Sequence, residues 1–323
     1  LLARTDPIQQ RDARTAALSG GTVVPPRAAS LAASARRHNW VTAYLLLAPA
    51  LVGLAVFRLY PIALAVWGSL HTSTFGAGAQ RIFVGLDNYA YLASNPVFWD
   101  SLWVTLKFNL VVNPVQVLLA LLLAVVANQR LRGIAVYRTI FFVPIGVSVP
   151  IAAILWQMML DPNRGVVNAL LLAVGLPAQP FLTSADQALW SVVGIASWKG
   201  VSFWMVFLLA GLQGIPRELH EAAMLDGGSA IRRFLDITLP LLKRTILFVL
   251  VTDTAINFLL FAPVYLLTRG GPELSTNVLM YEAFKTGFVY ADMGQGLAMV
   301  MVLLLLVLVV VGLEFRFLQA EDA

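Results

Sequence analysis

Two long apolar segments of this chain are separated by the stretch Ile215-Pro-Arg-Glu-Leu-His-Glu-Ala-Ala-Met-Leu-Asp-Gly-Gly-Ser-Ala-Ile-Arg-Arg-Phe-Leu-Asp-Ile-Thr-Leu-Pro240, which carries seven charged side chains. Pro216 suits the first turn of a helix, where its missing N–H costs nothing. Glu218 and Glu221 follow in the first turns, where the helix dipole favours negative charge. The first half of the stretch therefore predicts a short, water-exposed helix between two membrane spans.

The second half of the stretch predicts a turn and another helix. Gly227 readily takes the left-handed conformation that ends many helices. Ser229 can N-cap a second short helix, which we expect to run through Phe234. The whole stretch is thus predicted to be a hinge of two small helices.

The composition excludes an ordinary soluble domain. The 323 residues are 59% hydrophobic and 12% charged, whereas soluble chains carry about a quarter charged residues. The net charge of +5 does not indicate nucleic acid, because basic residues in a membrane protein mainly report orientation. There is no cysteine, and His38, His71 and His220 fall in separate regions, so no metal site is predicted.

Six apolar segments approach the ~20 residues that a bilayer requires. We place these spans at residues 42–70, 102–127, 138–160, 188–212, 244–268 and 292–316. Pro61, Pro114, Pro144 and Pro150 lie in the first three, where they can kink a helix whose freed carbonyls find partners on neighbouring helices. Turn-forming residues such as Asp161-Pro-Asn-Arg-Gly165 connect the spans. The predicted fold class is an all-α integral membrane protein with six transmembrane helices.

The distribution of basic residues predicts the orientation of the spans. With the N-terminus inside, the inner segments hold fifteen Lys and Arg and the outer loops hold four. Residues 1–39 lack a long apolar run and predict a disordered cytoplasmic tail, followed by a six-helix transmembrane domain at residues 40–318. Both termini and the 215–240 stretch are therefore expected in the cytoplasm.

One pattern in this stretch resembles the EAA loop of permease subunits of binding-protein-dependent ABC importers. It consists of Glu221-Ala222-Ala223, Gly227, Ile237 and Leu239-Pro240 at fixed spacing. Tyr137–Pro144 and Leu266–Pro272 look like segments of carbohydrate-uptake permeases, so the resemblance covers roughly residues 42–316. It implies a type I ABC importer permease fold in the bacterial cytoplasmic (inner) membrane.

The resemblance also implies a role for the loop at residues 213–243. In the family this loop forms a coupling helix that docks on a cytoplasmic ATPase, with Glu221 in a salt bridge and Gly227 permitting the turn. The candidate ATPase-coupling residues are Glu218, Glu221, Ala222, Ala223, Asp226, Gly227, Leu239 and Pro240. Gly228 departs from the family, which often has Ala there, and can loosen the turn. The alternative is an amphipathic connector lying on the membrane surface.

No enzymatic motif is present in the chain. A Gly-x-x-x-x-Gly-Lys-Ser/Thr loop, which cradles ATP phosphates, does not occur. The chain is therefore expected to bind no cofactor, and ATP and Mg would be used by partner ATPase subunits. The resemblance implies a second homologous permease subunit, two cytoplasmic ATPase subunits and an extracytoplasmic solute-binding protein as partners.

Polar residues inside the spans are the candidates for a substrate path. Asn109, Asn113 and Gln116 share one helix face, Trp198, Lys199 and Ser202 lie in the fourth span, and Asp253 and Asn257 lie one turn apart in the fifth. Ionisable groups in a membrane usually face a cavity or a partner. The alternative is that these groups only join helices, with Lys199 and Asp253 paired to each other or to the partner permease.

The leading hypothesis is an importer permease for a sugar or a sugar-like polar solute. Glycerol 3-phosphate or a glycerophosphodiester is the alternative substrate within the same class. An ion-coupled secondary transporter is the rival from another class, and its only support is Asp253 and Lys199, two ionisable groups inside spans.

Overall fold

The computed structural model describes residues 43–72, 81–129 and 132–319. The predicted tail at residues 1–39 lies outside these ranges. In chain order the helices are α1 (Ala43–Ser69), α2 (Asp87–Ser94), α3 (Pro96–Ala127), α4 (Ile134–Gly146), α5 (Val149–Met159), α6 (Val166–Ala173), α7 (Ala185–Gln213), α8 (Arg217–Leu225), α9 (Ala230–Arg233), α10 (Leu239–Phe258), α11 (Ala262–Leu267), α12 (Leu279–Phe284) and α13 (Met293–Gln319).

Residues 64–323 form one compact unit by their contacts. The residues before them form another, of which the structure describes only the first part of α1. A small antiparallel sheet follows α1. It pairs β1 (His71–Thr72) with β2 (Ile82–Phe83). Asn88 of α2 donates to the carbonyls of Ser69 and His71 at 2.8 and 3.2 Å, which joins the end of α1 to α2.

Four helices among the described residues, α1, α3, α7 and α13, are long and apolar enough to cross a membrane. The pair α4 and α5 makes a fifth span if the two helices are counted together. The helix α10 is 20 residues long, but Lys243, Arg244 and Asp253 make it less apolar than the others. The helical architecture agrees with the predicted class, whereas the count of six spans stays a prediction.

The third predicted span, residues 138–160, is wrong as a single helix. It consists of α4 and α5, which meet at an angle of 104°. Pro150 lies in the first turn of α5 and has no N–H to donate back to Gly146, so α4 cannot continue through it. By contrast, α3 runs through Pro114 without interruption for 32 residues.

The fifth predicted span also begins and ends elsewhere than at residues 244–268. The helix α10 starts at Leu239, and the short helix α11 follows a break after Phe258. A π-helical segment, Phe234–Thr238, joins α9 to α10, so the predicted short helix does not end at Phe234. Pro240 cannot donate to the preceding turn, and this local π-turn, in which Leu239 N–H bonds to Phe234, accommodates it within a continuous helix.

The core is built on the contact between α3 and α7. Small residues on α3 are completely buried against α7, among them Ala120, Ala124 and Ala127. Small residues permit such close approach of helix backbones in membranes. On α7, a Cβ added at Gly200 would lie 2.2 Å from Oε1 of Gln116, so only glycine fits there without displacing that side chain.

Candidate functional site

The charged loop presents an exposed helix. No residue of α8 is buried, and Leu225 is 90% exposed. The helix ends where Gly227 takes a φ of 77°. The Gly228 N–H donates to the Ala223 carbonyl at 2.9 Å, and the Gly227 N–H donates to the Met224 carbonyl at 3.1 Å. These two bonds form a Schellman cap, as the glycine pattern predicts.

A separate steric constraint favours glycine at position 228. A Cβ on this residue would lie 2.8 Å from the carbonyl oxygen of Ala223, which is the acceptor of the capping bond. The glycine therefore closes this turn more tightly than alanine permits, rather than loosening it.

The second part of the loop is held by local bonds. The Ser229 hydroxyl accepts from the Arg232 N–H at 3.3 Å, which is the predicted N-cap. Arg233 donates to the Gly228 carbonyl at 2.8 Å. Arg232 and Asp236 form an ion pair at 3.3 Å in which both side chains are mostly exposed, so it adds little stability.

The two acidic residues of α8, Glu218 and Glu221, have no ion-pair partner within the described ranges. They are exposed, as are Ala222, Asp226, Gly227 and Pro240, while Ala223 and Leu239 are half-buried. Six of the eight predicted coupling residues are therefore exposed within the described part of the chain.

Both flanks of α8 are anchored in the bundle. Ile215 on one side and Phe234 and Leu239 on the other pack against a cluster that includes Leu212 and Leu242. The helix α8 itself is thus exposed, while partly buried residues on both sides attach it to the bundle.

A cavity of about 460 Å³ lies among α3, α4, α5, α7, α10 and α11. Its lining is mainly apolar and includes the aromatic rings of Phe203, Trp204 and Phe261. Four of the predicted path residues line it: Gln116, Lys199, Asp253 and Asn257. Ligand pockets commonly combine such apolar walls with a few polar groups.

Among the residues that line the cavity, Asp253 stands out by its burial and its hydrogen bonds. It is only 2% exposed. Its Oδ1 accepts from Nε1 of Trp204 at 2.6 Å and from Nδ2 of Asn257 at 2.9 Å. Its Oδ2 is buried and has no hydrogen-bond partner in the described part of the chain. Gln116 is in a similar state, because its Oε1 is also buried without a partner there.

Lys199 donates hydrogen bonds to carbonyls at the break between α4 and α5. Its ammonium donates to the carbonyls of Pro144, at 3.2 Å, and of Val147. A cation at a helix C-terminus satisfies carbonyls that have no partner within the helix. The expected alternative, a pair between Lys199 and Asp253, is not among the ion pairs of the described residues.

The remaining path candidates lie beside the cavity rather than on its lining. Asn113 donates to Thr254 at 3.0 Å and accepts from Asn257 at 2.8 Å, which joins α3 to α10. Thr254 in turn donates to Glu314 of α13 at 2.9 Å. Asn109 donates to a carbonyl of its own helix.

In α7, Trp198 packs edge-on against Trp156, and Ser202 donates to the Trp198 carbonyl. Trp204, which lines the cavity and donates to Asp253, was not among the predicted path residues. A signal was available, since Trp204 follows Gly200 by four residues and a buried indole N–H needs an acceptor.

An apolar helical bundle, a mainly apolar cavity with a few polar groups and an exposed loop with anchored flanks are typical of an integral membrane transport protein. Residues 116–319 match the family described as "Binding-protein-dependent transport system inner membrane component". The chain belongs to this family and is a permease subunit of an ABC importer in the inner membrane. It is a transport subunit and not an enzyme.

Curated relatives agree with this family. The chain is 35% identical over 283 residues to the "sn-glycerol-3-phosphate transport system permease protein UgpA" of Agrobacterium fabrum, covering 87% of this chain and 96% of the relative. It is 36% identical over 287 residues to the protein of the same name in Shigella flexneri, covering 88% and 96%.

Solved structures show the same fold. A chain of a bacterial ABC transporter involved in the import of the acidic polysaccharide alginate superimposes with a TM-score of 0.73 at 24% identity, covering 88% of this chain and 96% of that chain. The same transporter in complex with an alginate pentasaccharide-bound periplasmic protein gives a TM-score of 0.73 at 24% identity, covering 86% and 93%.

Proposed function

We propose that this permease carries a sugar or a sugar-like polar solute across the membrane and that α8 passes on the work of ATP hydrolysis. The observation that carries the proposal is the helix α8, none of whose residues is buried while both of its flanks pack into the bundle. A rigid helix held in this way can switch the packing of the helices attached to it. The residues proposed to contact the ATPase are the exposed acids Glu218 and Glu221, with Gly227 setting the turn.

The proposal includes the partners that such a loop needs. One loop serves one ATPase, so a two-ATPase engine requires a second permease, and ATP and Mg²⁺ are used by the ATPase subunits. An extracytoplasmic solute-binding protein delivers the substrate. We place both chain termini in the cytoplasm and six spans in the membrane, an arrangement that puts α8 on the side where ATP is.

The substrate class is supported by the cavity. Its volume of about 460 Å³ and its aromatic walls suit a sugar ring, because such walls bury the apolar faces of a ligand while a few polar groups orient it. Glycerol 3-phosphate or a glycerophosphodiester is the alternative, favoured by the names of the curated relatives. The ion-coupled alternative is disfavoured by the family match, and Lys199 is engaged with carbonyls at the break between α4 and α5.

A charge reversal tests the loop. In the purified importer, Glu221→Lys should abolish substrate-stimulated ATP hydrolysis while the melting temperature stays at the wild-type value, because Glu221 is exposed and unpaired. Glu273→Lys, a reversal at an exposed acid on the predicted outer side, is the matched control and should leave stimulation intact. Normal stimulation in Glu221→Lys would refute the role of α8.

A further inference from the structure

A second pocket, of about 450 Å³, lies between the end of α5 and the first turns of α7. Exposed charged residues flank it, with Arg164 in the turn that follows α5 and Asp186 in the first turn of α7. Charged side chains are costly inside the hydrocarbon of a bilayer, so this end of the two helices lies at the membrane surface. In the orientation proposed above that surface is the outer one, and we call the space the outer pocket.

Three aromatic residues line the outer pocket, namely Trp156, Phe181 and Trp190, and Trp190 is 51% exposed. Within the described ranges, the indole N–H groups that donate a hydrogen bond are those of Trp99 and Trp204. The N–H groups of Trp156 and Trp190 are therefore free. The Trp156 N–H is not one of the buried unpaired atoms of these ranges, so it has accessible surface.

Hydrogen bonds hold the rim of the outer pocket in place. Nε2 of Gln187 donates to Oε1 of Gln179 at 2.8 Å, and Oε1 of Gln187 accepts from the Phe181 N–H at 3.0 Å. Buried Asn168 exchanges two bonds of 2.8 Å with the backbone of Gln179. These bonds fix Phe181 at a φ of 43°, a strained conformation for a residue other than glycine. Such strain persists where the surroundings impose it, and it is common at ligand sites.

Aromatic walls with free N–H donors suit a sugar ring. The C–H faces of a pyranose pack on aromatic rings, and its hydroxyl groups accept from indole and amide N–H groups. Gln187 adds an amide donor, because Nε2 carries two hydrogens and one of them is used in the described part of the chain. An acyl chain would cover the apolar walls but leave these donors unpaired. No basic residue, the usual partner of a phosphate, lines the pocket.

We propose that the outer pocket is an entry subsite that binds the ring of an uncharged sugar before the sugar reaches the cavity. Trp190 supplies the stacking face, and the N–H groups of Trp156 and Gln187 orient the hydroxyl groups. Ile195 lines both the outer pocket and the cavity, so the two spaces are adjacent along α7. The inference rests on the proposed function, which places this end of α7 outside and assigns a sugar-like solute to the permease.

The absence of cysteine from the chain permits a direct test. Ser191→Cys places one thiol on the lining of the outer pocket. The assembled importer, in right-side-out membrane vesicles without binding protein, is treated with a membrane-impermeant thiol reagent, and labelling of this chain is followed over time. The thiol should react, and glucose or sucrose should slow the reaction. Sorbitol, a polyol without a ring, should not.

Matched variants separate a binding site from general shielding. Asn163→Cys, at an exposed residue that does not line the pocket, should react equally fast with and without sugar. In the Ser191→Cys chain, Trp190→Ala should raise several-fold the sugar concentration that gives half-maximal protection, whereas Trp190→Phe should keep most of the protection. Trp99→Ala removes a tryptophan that is 52% exposed and does not line the pocket, and it should change nothing.

Three results would overturn the proposal. A thiol at position 191 that does not react from outside, while Asn163→Cys does, would show that lipid or another subunit covers the pocket. Protection by glycerol 3-phosphate but by neither sugar would show that the ligand is not a sugar ring. Protection that is unchanged by Trp190→Ala would show that the sugar binds elsewhere.

Failure of this inference is distinguishable from failure of the proposed function. Glu221→Lys should lose ATPase stimulation and keep the protection by sugar, because α8 does not line the outer pocket. Normal stimulation in Glu221→Lys, combined with protection by sugar, would reject the coupling role alone. Lost stimulation in Glu221→Lys, combined with a thiol that reacts without protection by sugar, would reject the entry subsite alone.

Discussion

The α8 loop (residues 215–240) and the cavity provide hydrogen-bond partners for their polar groups in opposite ways. In the loop the bonds described above are local: the Gly228 N–H donates to the Ala223 carbonyl, and the Ser229 hydroxyl accepts from the Arg232 N–H. In the cavity, polar groups also find partners in distant parts of the chain. The Trp204 indole N–H, for example, donates to Asp253, which lies 49 positions away in the sequence. The loop can therefore keep its shape while it moves, whereas the cavity changes its hydrogen bonds whenever its helices shift.

This difference suits the two regions to different parts of a transport cycle. A locally bonded helix transmits a displacement without being deformed by it. A cavity bonded across helices responds to the same displacement by rearranging its polar groups, because packed elements switch between discrete arrangements.

The largest expected effect comes from cutting the bonds between helices beside the cavity. Asn113→Leu removes one of the two acceptors of the Asn257 amide and one of the two partners of Thr254. Each buried group left unpaired costs about 1–3 kcal/mol, so the melting temperature of the purified complex should fall by several degrees. Calorimetry or a thermal-shift assay measures the change.

Asn109→Leu is the matched control for that substitution. Asn109 lies one turn earlier on α3 and donates only to the carbonyl of Thr105 in its own helix. It should lose clearly less stability than Asn113→Leu. Equal losses in the two variants would show that the bonds between helices add nothing.

The same contrast explains what the sequence could predict. The turn at Gly227, the N-cap at Ser229 and the exposure of Glu221 follow from residues within one or two helical turns, and local propensity predicts them. Pro150 marks the break at residues 147–148 locally, but the 104° angle there and the bond from Trp204 to Asp253 involve partners about 50 positions away, which a local pattern does not identify. Gln116, Lys199, Asp253 and Asn257 were predictable as candidates only because ionisable and amide groups are rare inside spans.

A second prediction concerns the joint between α4 and α5. Lys199→Met leaves the carbonyls of Pro144 and Val147 without their donor, which should cost about 1–2 kcal/mol, the upper range for a partly buried cation at a helix end. Thermal unfolding gives the stability, and spin labels on α4 and α5 report a wider spread of angles at the joint. Lys199→Arg should restore both quantities, since it keeps a charged donor.

Lys107→Met provides the comparison for this lysine. Lys107 lies in α3, with its ammonium 5.3 Å from the ring centre of Trp103, a contact that contributes about 0.5–1 kcal/mol at an exposed site. Its removal should leave the angle between α4 and α5 unchanged. A wild-type distribution of angles in Lys199→Met would contradict the capping role.

A smaller effect is expected from the turn of the loop. Gly227→Ala places a Cβ on a residue with a φ of 77°, a strain of about 1–2 kcal/mol confined to this turn. Hydrogen exchange at the Gly228 amide should become faster and ATPase stimulation weaker. Gly214→Ala, at a φ of −78°, should alter none of these, and equal exchange in the two variants would contradict the assignment.

The smallest effect tests local bonding outside both regions, at the turn between α5 and α6. Oδ1 of Asp161 accepts from the N–H groups of Arg164, at 2.7 Å, and Asn163, at 2.9 Å, and these bonds lower the pKa of its carboxyl. Because the folded-state pKa is depressed, this stabilisation is complete above the ordinary aspartate value of about 3.9 and is lost as the pH falls below it.

Protection of the Asn163 and Arg164 amides from hydrogen exchange, relative to their intrinsic rates, should therefore decline over that acidic range while α3 and α7 stay protected. Asp161→Asn keeps the acceptor oxygen but cannot titrate, so its protection should be independent of pH. A pH-independent wild type would show that this turn, unlike the α8 loop, is held by its neighbours and not by its own residues.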